Sequence, residues 1–210
     1  MTEKERLREI VRRLRKEYPE PGTALHFTTP MEILVATILS AQTTDAHVNK
    51  VTEKLFRKYR SVRDYADVPL NELTNDIRSV NFFNTKAKHI KAAAQELVAR
   101  FGSEVPRTMD DLVGLPGVAR KTANIVLSAA FGVNAGIAVD THVRRLANRL
   151  GLSGHDDPIR IERDLMAVMP RKGWAVLSHL LIFHGRKVCQ AKRMHHSACV
   201  IRDLCPSREL

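Results

Sequence analysis

The sequence predicts an all-α protein built as two helical lobes. Apolar residues recur at helical spacing along almost the whole chain, period-two alternation bounded by turn residues is essentially missing, and prolines and glycines fall where helical runs begin and end. With 210 residues, 44% of them hydrophobic, the chain can bury one large core or two modest ones. It contains no low-complexity segment, long linker or internal repeat, so two packed lobes sharing a groove fit the length.

Helices are expected over residues 2–17, 30–41, 44–59, 69–79, 84–101, 108–113, 120–131, 141–150, 158–168 and 173–187. Pro19 and Pro21 end the first, because proline lacks an amide hydrogen and pushes its preceding residue out of the helical region. Pro30 and Pro69 suit first helical turns, where the missing donor has no partner to lose. Gly102, Gly132 and Gly151 follow helical runs as C-terminal caps. Met31 to Leu39 (MEILVATIL) is apolar nearly all round, which predicts burial on every side at the centre of a bundle.

No run approaches the roughly 18 consecutive apolar residues of a membrane span, and the charged start MTEKERLREIVRRLRKE lacks the apolar stretch of a secretory signal. A cytoplasmic, nucleoid-associated protein with no membrane partner is expected. The net charge of +11 implies an anionic partner, although charge alone does not separate nucleic acid from an acidic membrane or a ribosome. Residues 171–210 hold eight Lys or Arg against two acids, which places one basic face near the C-terminus. The three cysteines are Cys189, Cys199 and Cys205. An odd, clustered set argues against a disulfide framework and leaves ordinary thiols or metal ligands.

The chemistry concentrates in VPRTMDDLVGLPGVARKTANIVLSAAFG, where Leu115-Pro116-Gly117-Val118-Ala119 turns a short helix directly into the next. Gly117 allows the backbone to approach a partner closely, and the amides that open the following helix carry the positive end of its dipole. Such a nest binds a phosphate without reading a base. Taken alone, the turn reads as a plain connection between helices. The wider segment resembles the helix-hairpin-helix signature of endonuclease III-type DNA glycosylases, with Lys121 just past the hairpin and Asp140 in Val139-Asp140-Thr141-His142. LSAQTTD at 39–45, the Phe82-Phe83-Asn84-Thr85-Lys86 loop and the cysteine spacing extend the resemblance over nearly the whole chain.

That resemblance implies a catalytic pair, Lys121 and Asp140. An amine attacks a sugar carbon only when unprotonated, and the first turn of a helix in a basic setting disfavours the ammonium form. Asp140 looks like the N-cap of helix 141–150, where amide donors favour the carboxylate. A carboxylate there stabilises positive charge on the deoxyribose as the base leaves. By the same resemblance Gly117, Ala119, Arg120 and His142 contact DNA, and Gln42 and Phe82 fill the gap left by an extruded nucleotide. Extrusion itself costs a few kcal/mol. Phe82 has a rival reading as a core aromatic, Gln42 as a helix-end cap, and Asp45, placed near the pocket by likeness, as the N-cap of helix 44–59.

The chain departs from the family in three places. Members with an iron-sulfur cluster read Cys-x6-Cys-x2-Cys-x5-Cys; here the run is Cys189-x6-His196-x2-Cys199-x5-Cys205. A [4Fe-4S] cluster with His196 as an unusual ligand, a cluster lacking one iron, a zinc in a Cys3His site and no metal all stay open, with adjacent His195 able to substitute. Ala119 stands where the hairpin normally has its last glycine, and one extra residue lies within Gly132 to Gly136.

The resemblance therefore implies a six-helix bundle with the hairpin at 25–133 and a discontinuous cluster lobe from 1–24 and 134–210, flanking a DNA-binding groove. The expected enzyme is a monomeric bifunctional glycosylase and abasic-site lyase. It removes oxidised pyrimidines from double-stranded DNA and nicks 3′ to the abasic site by β-elimination. A monofunctional mismatch glycosylase, which lacks the lysine, and a non-catalytic DNA-binding module are the rivals.

Overall fold

The computed structural model describes residues 1–208, and among these it is helical, with a lone antiparallel bridge between Cys189 and Met194. The all-α expectation holds. None of its helices is long and apolar enough to cross a membrane. The chain divides into two compact units, Ala24–Ala135 and the discontinuous Met1–Thr23 with Gly136–Leu210.

The continuous unit contains α2 (Pro30–Ser40), α3 (Asp45–Lys58), α4 (Val62–Asp67), α5 (Leu70–Asp76), α6 (Phe83–Arg100), α7 (Met109–Val113) and α8 (Arg120–Phe131). The sequence suggests about six helices here; there are seven, the additional one being α4. Its signal is a capping box: Ser61 accepts from the Asp64 amide and Asp64 accepts from the Ser61 amide. The helix itself has only six residues, too few to show a period. α2 is the centre of this unit, as its apolar run requires. Ile33, Leu34, Val35, Ala36 and Leu39 are fully buried, and each large aliphatic side chain so buried contributes about 1.5–3 kcal/mol. Thr29 and Glu32 form the capping box that starts α2, with Pro30 in its first turn.

α5 ends earlier than expected, at Asp76, and the freed residues Ile77–Asn81 form a turn leading into α6. Gly102, Gly132 and Gly151 all lie at positive φ just past helix ends, as glycine caps do.

The discontinuous unit contains α1 (Glu3–Glu17), α9 (Thr141–Arg149), α10 (Pro158–Val168), α11 (Trp174–Lys187) and three short 3₁₀ turns. Leu7, Ile10 and Leu14 of α1 pack with Val143, Leu146, Ile161, Leu165, Leu177, Leu180 and Leu181. A chain start thereby completes the core of a chain end. Arg6 donates to Leu150 O and Leu204 O, and Arg13 pairs with Asp203 at 2.6 Å, so α1 also secures the cysteine-bearing segment.

Candidate active site

The hairpin turn closes with Val118 N donating to Leu115 O at 3.1 Å. Gly117 sits at φ +77, and a Cβ there would lie 2.6 Å from His89 Cβ and 2.7 Å from His89 Cγ. The close approach that the sequence assigns to an outside partner is therefore first made to α6 of the same unit. Both the left-handed backbone and the His89 contact exclude a side chain. Gly117→Ala is expected to lower stability by about 1–3 kcal/mol, read from urea unfolding; unchanged stability would mean the turn relaxes freely.

Ala119 is the N-cap of α8 and gives no side-chain hydrogen bond. The start of a helix carries the positive end of its dipole, which suits an anion. Arg120 and Lys121 are the first two residues of the helix, with Lys121 exposed.

In the other unit, Asp140 is the N-cap of α9. Its Oδ1 accepts from the amides of His142 and Val143, both at 2.8 Å. The approach to this cap is pinned from below. Ile137 N donates to buried Glu162 at 3.1 Å, and buried Ser178 Oγ donates to Ala138 O at 2.6 Å. His142 Nδ1 lies 3.1 Å from Arg145 Nη2, which makes Nδ1 the acceptor, and burial holds the imidazolium below the usual histidine range.

Gln42 and Phe82 share a feature that sequence patterns do not show. Both have positive φ, +55 and +57, where a non-glycine residue is uncommon and strained. Gln42 follows the C-cap Ala41 of α2, and Phe82 is the N-cap of α6. Phe82 is 61% exposed, so the core-aromatic reading fails; Phe83 is the ring that packs on the core. Asp45 is not an N-cap: Thr44 caps α3 by accepting from the His47 amide, and Asp45 is the first helical residue.

Cys189, His195, His196, Cys199 and Cys205 line one cavity with Arg149, Val188 and Met194. His196 Nε2 is buried without a hydrogen-bond partner among the described residues. Arg149 Nη1 donates to Cys189 Sγ at 3.1 Å and to Gln190 O at 2.8 Å. Arg145 Nη2 donates to Gly185 O at 2.9 Å and Cys189 O at 3.0 Å. Cys199 Sγ lies 3.4 Å from His184 Nε2, whose Nδ1 is 3.2 Å from Tyr18 Oη. Burial pushes the Cys199 and Cys205 thiols up. No three His, Cys, Asp or Glu side chains among the described residues are grouped so as to hold a single metal ion. The donors surround a cavity instead, and the soft sulfur set with one orphaned imidazole nitrogen suits a thiolate-rich group larger than one ion. Arg145, Arg149, His184 and Tyr18 were not read from the sequence, because each reaches its partner across a long sequence interval.

Residues 35–171 match the model of the HhH-GPD superfamily of base excision DNA repair proteins. Endonuclease III of Synechocystis sp. is 49% identical over 208 residues, covering 99% of this chain and 95% of that protein. A solved structure of a trapped endonuclease III–DNA covalent intermediate, an estranged-adenine complex, is 43% identical with a TM-score of 0.93, covering 100% of this chain and 98% of that one. A non-covalent endonuclease III–DNA complex is 44% identical with the same TM-score of 0.93, again covering 100% and 98%. With the hairpin, the lysine that follows it and the capped aspartate all in place, the chain belongs to the endonuclease III branch of the HhH-GPD superfamily of base excision DNA repair proteins.

Proposed function

We propose that Lys121 attacks C1′ of an oxidised pyrimidine nucleotide and that Asp140 provides the carboxylate that stabilises the departing base's sugar. The activity, a DNA N-glycosylase joined to an abasic-site lyase, is that of the family to which the chain belongs. Its partner is DNA. The observation that carries the residue assignment is the lysine at the opening turn of α8, directly after a hairpin whose geometry suits a phosphate.

The amine forms a bond to C1′ as the C1′–N bond to the base breaks and the base leaves with the electron pair and a proton. The resulting aminal opens as its C1′–O4′ bond breaks and O4′ takes up a proton, leaving C1′ doubly bonded to the lysine nitrogen; this imine acidifies the adjacent C2′ hydrogen, and loss of that proton expels the 3′ phosphate, cutting the strand. Asp140 already accepts two amides, so its carboxyl group is oriented before the sugar turns positive. Gly117, Ala119 and Arg120 hold backbone phosphate, Gln42 and Phe82 fill the vacated space, and His142 and Asp45 border the DNA. Oxidised pyrimidines and abasic sites are the substrates, the enzyme acts as a monomer, and its place in the cell is with the nucleoid.

Cys189, His196, Cys199 and Cys205 hold a [4Fe-4S] cluster in this reading. It supplies a covalent staple, and no chemical step is assigned to it. The unpartnered His196 nitrogen supports His196 as the fourth ligand over His195, and the donors' spread around a cavity supports a cluster over a single zinc.

Borohydride added to a reaction on duplex DNA with thymine glycol or an abasic site tests the assignment. A covalent protein–DNA adduct is expected. Free base with no adduct would identify a monofunctional glycosylase, and binding with neither would leave a non-catalytic module.

A further inference from the structure

Lys86 is a lysine with only 4% of its surface exposed. An ammonium in such a place requires full hydrogen bonding, and burial pulls it below the usual lysine range. Its Nζ donates to Leu39 O at 2.7 Å, to Ala41 O at 2.6 Å and to Thr43 Oγ1 at 3.2 Å. Three acceptors match the three N–H donors of an ammonium, so the nitrogen has no free lone pair and Lys86 is not a second nucleophile. The Leu39 and Ala41 carbonyls also close the C-terminal end of α2, where the helix dipole favours a cation.

These acceptors bracket Gln42. The Gln42 carbonyl in turn accepts from Asn81 Nδ2, and Asn81 directly precedes Phe82. His47 Nε2 adds a contact to Ser79 O at 2.9 Å. Segments 39–43 and 79–82 are thus cross-tied by side chains of α3, α6 and the turn itself. Each segment carries one non-glycine residue held at positive φ, Gln42 in one and Phe82 in the other. The ties flank both positions.

We propose that Lys86 and Asn81 are positioning residues that lock Gln42 and Phe82 into one preformed wedge for the gap left by an extruded nucleotide. This rests on the reading that Gln42 and Phe82 fill that gap. Relaxation of either residue to negative φ redirects its side chain. With both held, the ordering is completed during folding rather than at the moment of DNA binding.

The test compares cleavage of one lesion in two settings. In a fully paired duplex, extrusion leaves a gap and an orphaned base; in a single-nucleotide bulge it leaves neither. Lys86→Met and Asn81→Ala are expected to lower the duplex-to-bulge rate ratio by about tenfold or more, because misplaced contacts cost that much. A purely structural defect lowers both rates together, and an unchanged ratio in Asn81→Ala overturns the proposal. Asn81 is exposed, so its truncation gives the answer even where Lys86→Met does not fold. Phe82→Ala separates the two levels. A ratio that falls in Phe82→Ala and holds in both other variants overturns the positioning role alone. A ratio unmoved in Phe82→Ala overturns the gap-filling reading, and the proposal with it.

Discussion

Lys121→Ala is expected to give no borohydride-trapped adduct on a thymine glycol or abasic-site duplex, and to lower strand cleavage by on the order of a thousandfold or more, the scale on which removing a covalent nucleophile acts. The fold should be untouched. Lys121 is exposed at the start of α8, and alanine is the best helix former for that position. Asp140→Asn is the informative companion. Asparagine keeps the N-cap that Asp140 makes to His142 and Val143 but removes the charge. Base release should slow by about a hundredfold to a thousandfold while DNA affinity stays near that of the parent. Equal trapping by Lys121→Ala would sink the nucleophile assignment. Loss of DNA binding in Asp140→Asn would show that the carboxylate organises α9 rather than the reaction.

The second large effect concerns the cysteine loop. Purified without oxygen, the protein is expected to be yellow-brown and to contain about four iron atoms per chain, the complement of a cubane cluster. His196→Ala should lose that iron, since it removes the cavity-lining imidazole whose Nε2 has no hydrogen-bond partner among the described residues. His196→Cys should retain the iron and shift the cluster potential downward, because a thiolate brings negative charge where the imidazole is neutral. Iron counting, visible absorption and protein-film voltammetry read these outcomes without reference to catalysis. Stoichiometric zinc in the parent protein, or full iron in His196→Ala, would show that the ligand assignment is wrong.

Much of this molecule is readable from short sequence intervals because the interactions responsible are themselves short. Thr2 with Glu5 and Thr29 with Glu32 are capping boxes whose partners are three residues apart, and Asp140 satisfies the amides that immediately follow it. Apolar periodicity located α1, α6 and α11, and the unbroken apolar run of α2 marked the centre of a core. α4 escaped because it is too short for a period to develop, although Ser61 and Asp64 carry its start signal.

The same logic explains the misreadings at the site. Gly117 was legible as a required glycine, but its close neighbour is His89, on a helix far from it in sequence. Asp45 is a cap candidate by residue type, whereas the hydroxyl one residue earlier accepts the amide and leaves Asp45 inside the helix. Phe82 and Phe83 are adjacent aromatics with no difference in local pattern; the left-handed backbone at Phe82 turns one outward and leaves the other on the core.

What the sequence determined by itself is the helical class, most helix limits, the hairpin and the residue types able to form an imine or bind iron, since each depends on neighbours within about one or two helical turns. The tertiary structure alone decided which of those residues are held ready. Lys86 reaches three acceptors of another segment, Glu162 and Ser178 pin the approach to Asp140, and Arg145 and Arg149 hold the cysteine loop. These contacts join polar groups across long stretches of chain, several of them buried, and only tertiary packing brings such groups within hydrogen-bonding distance.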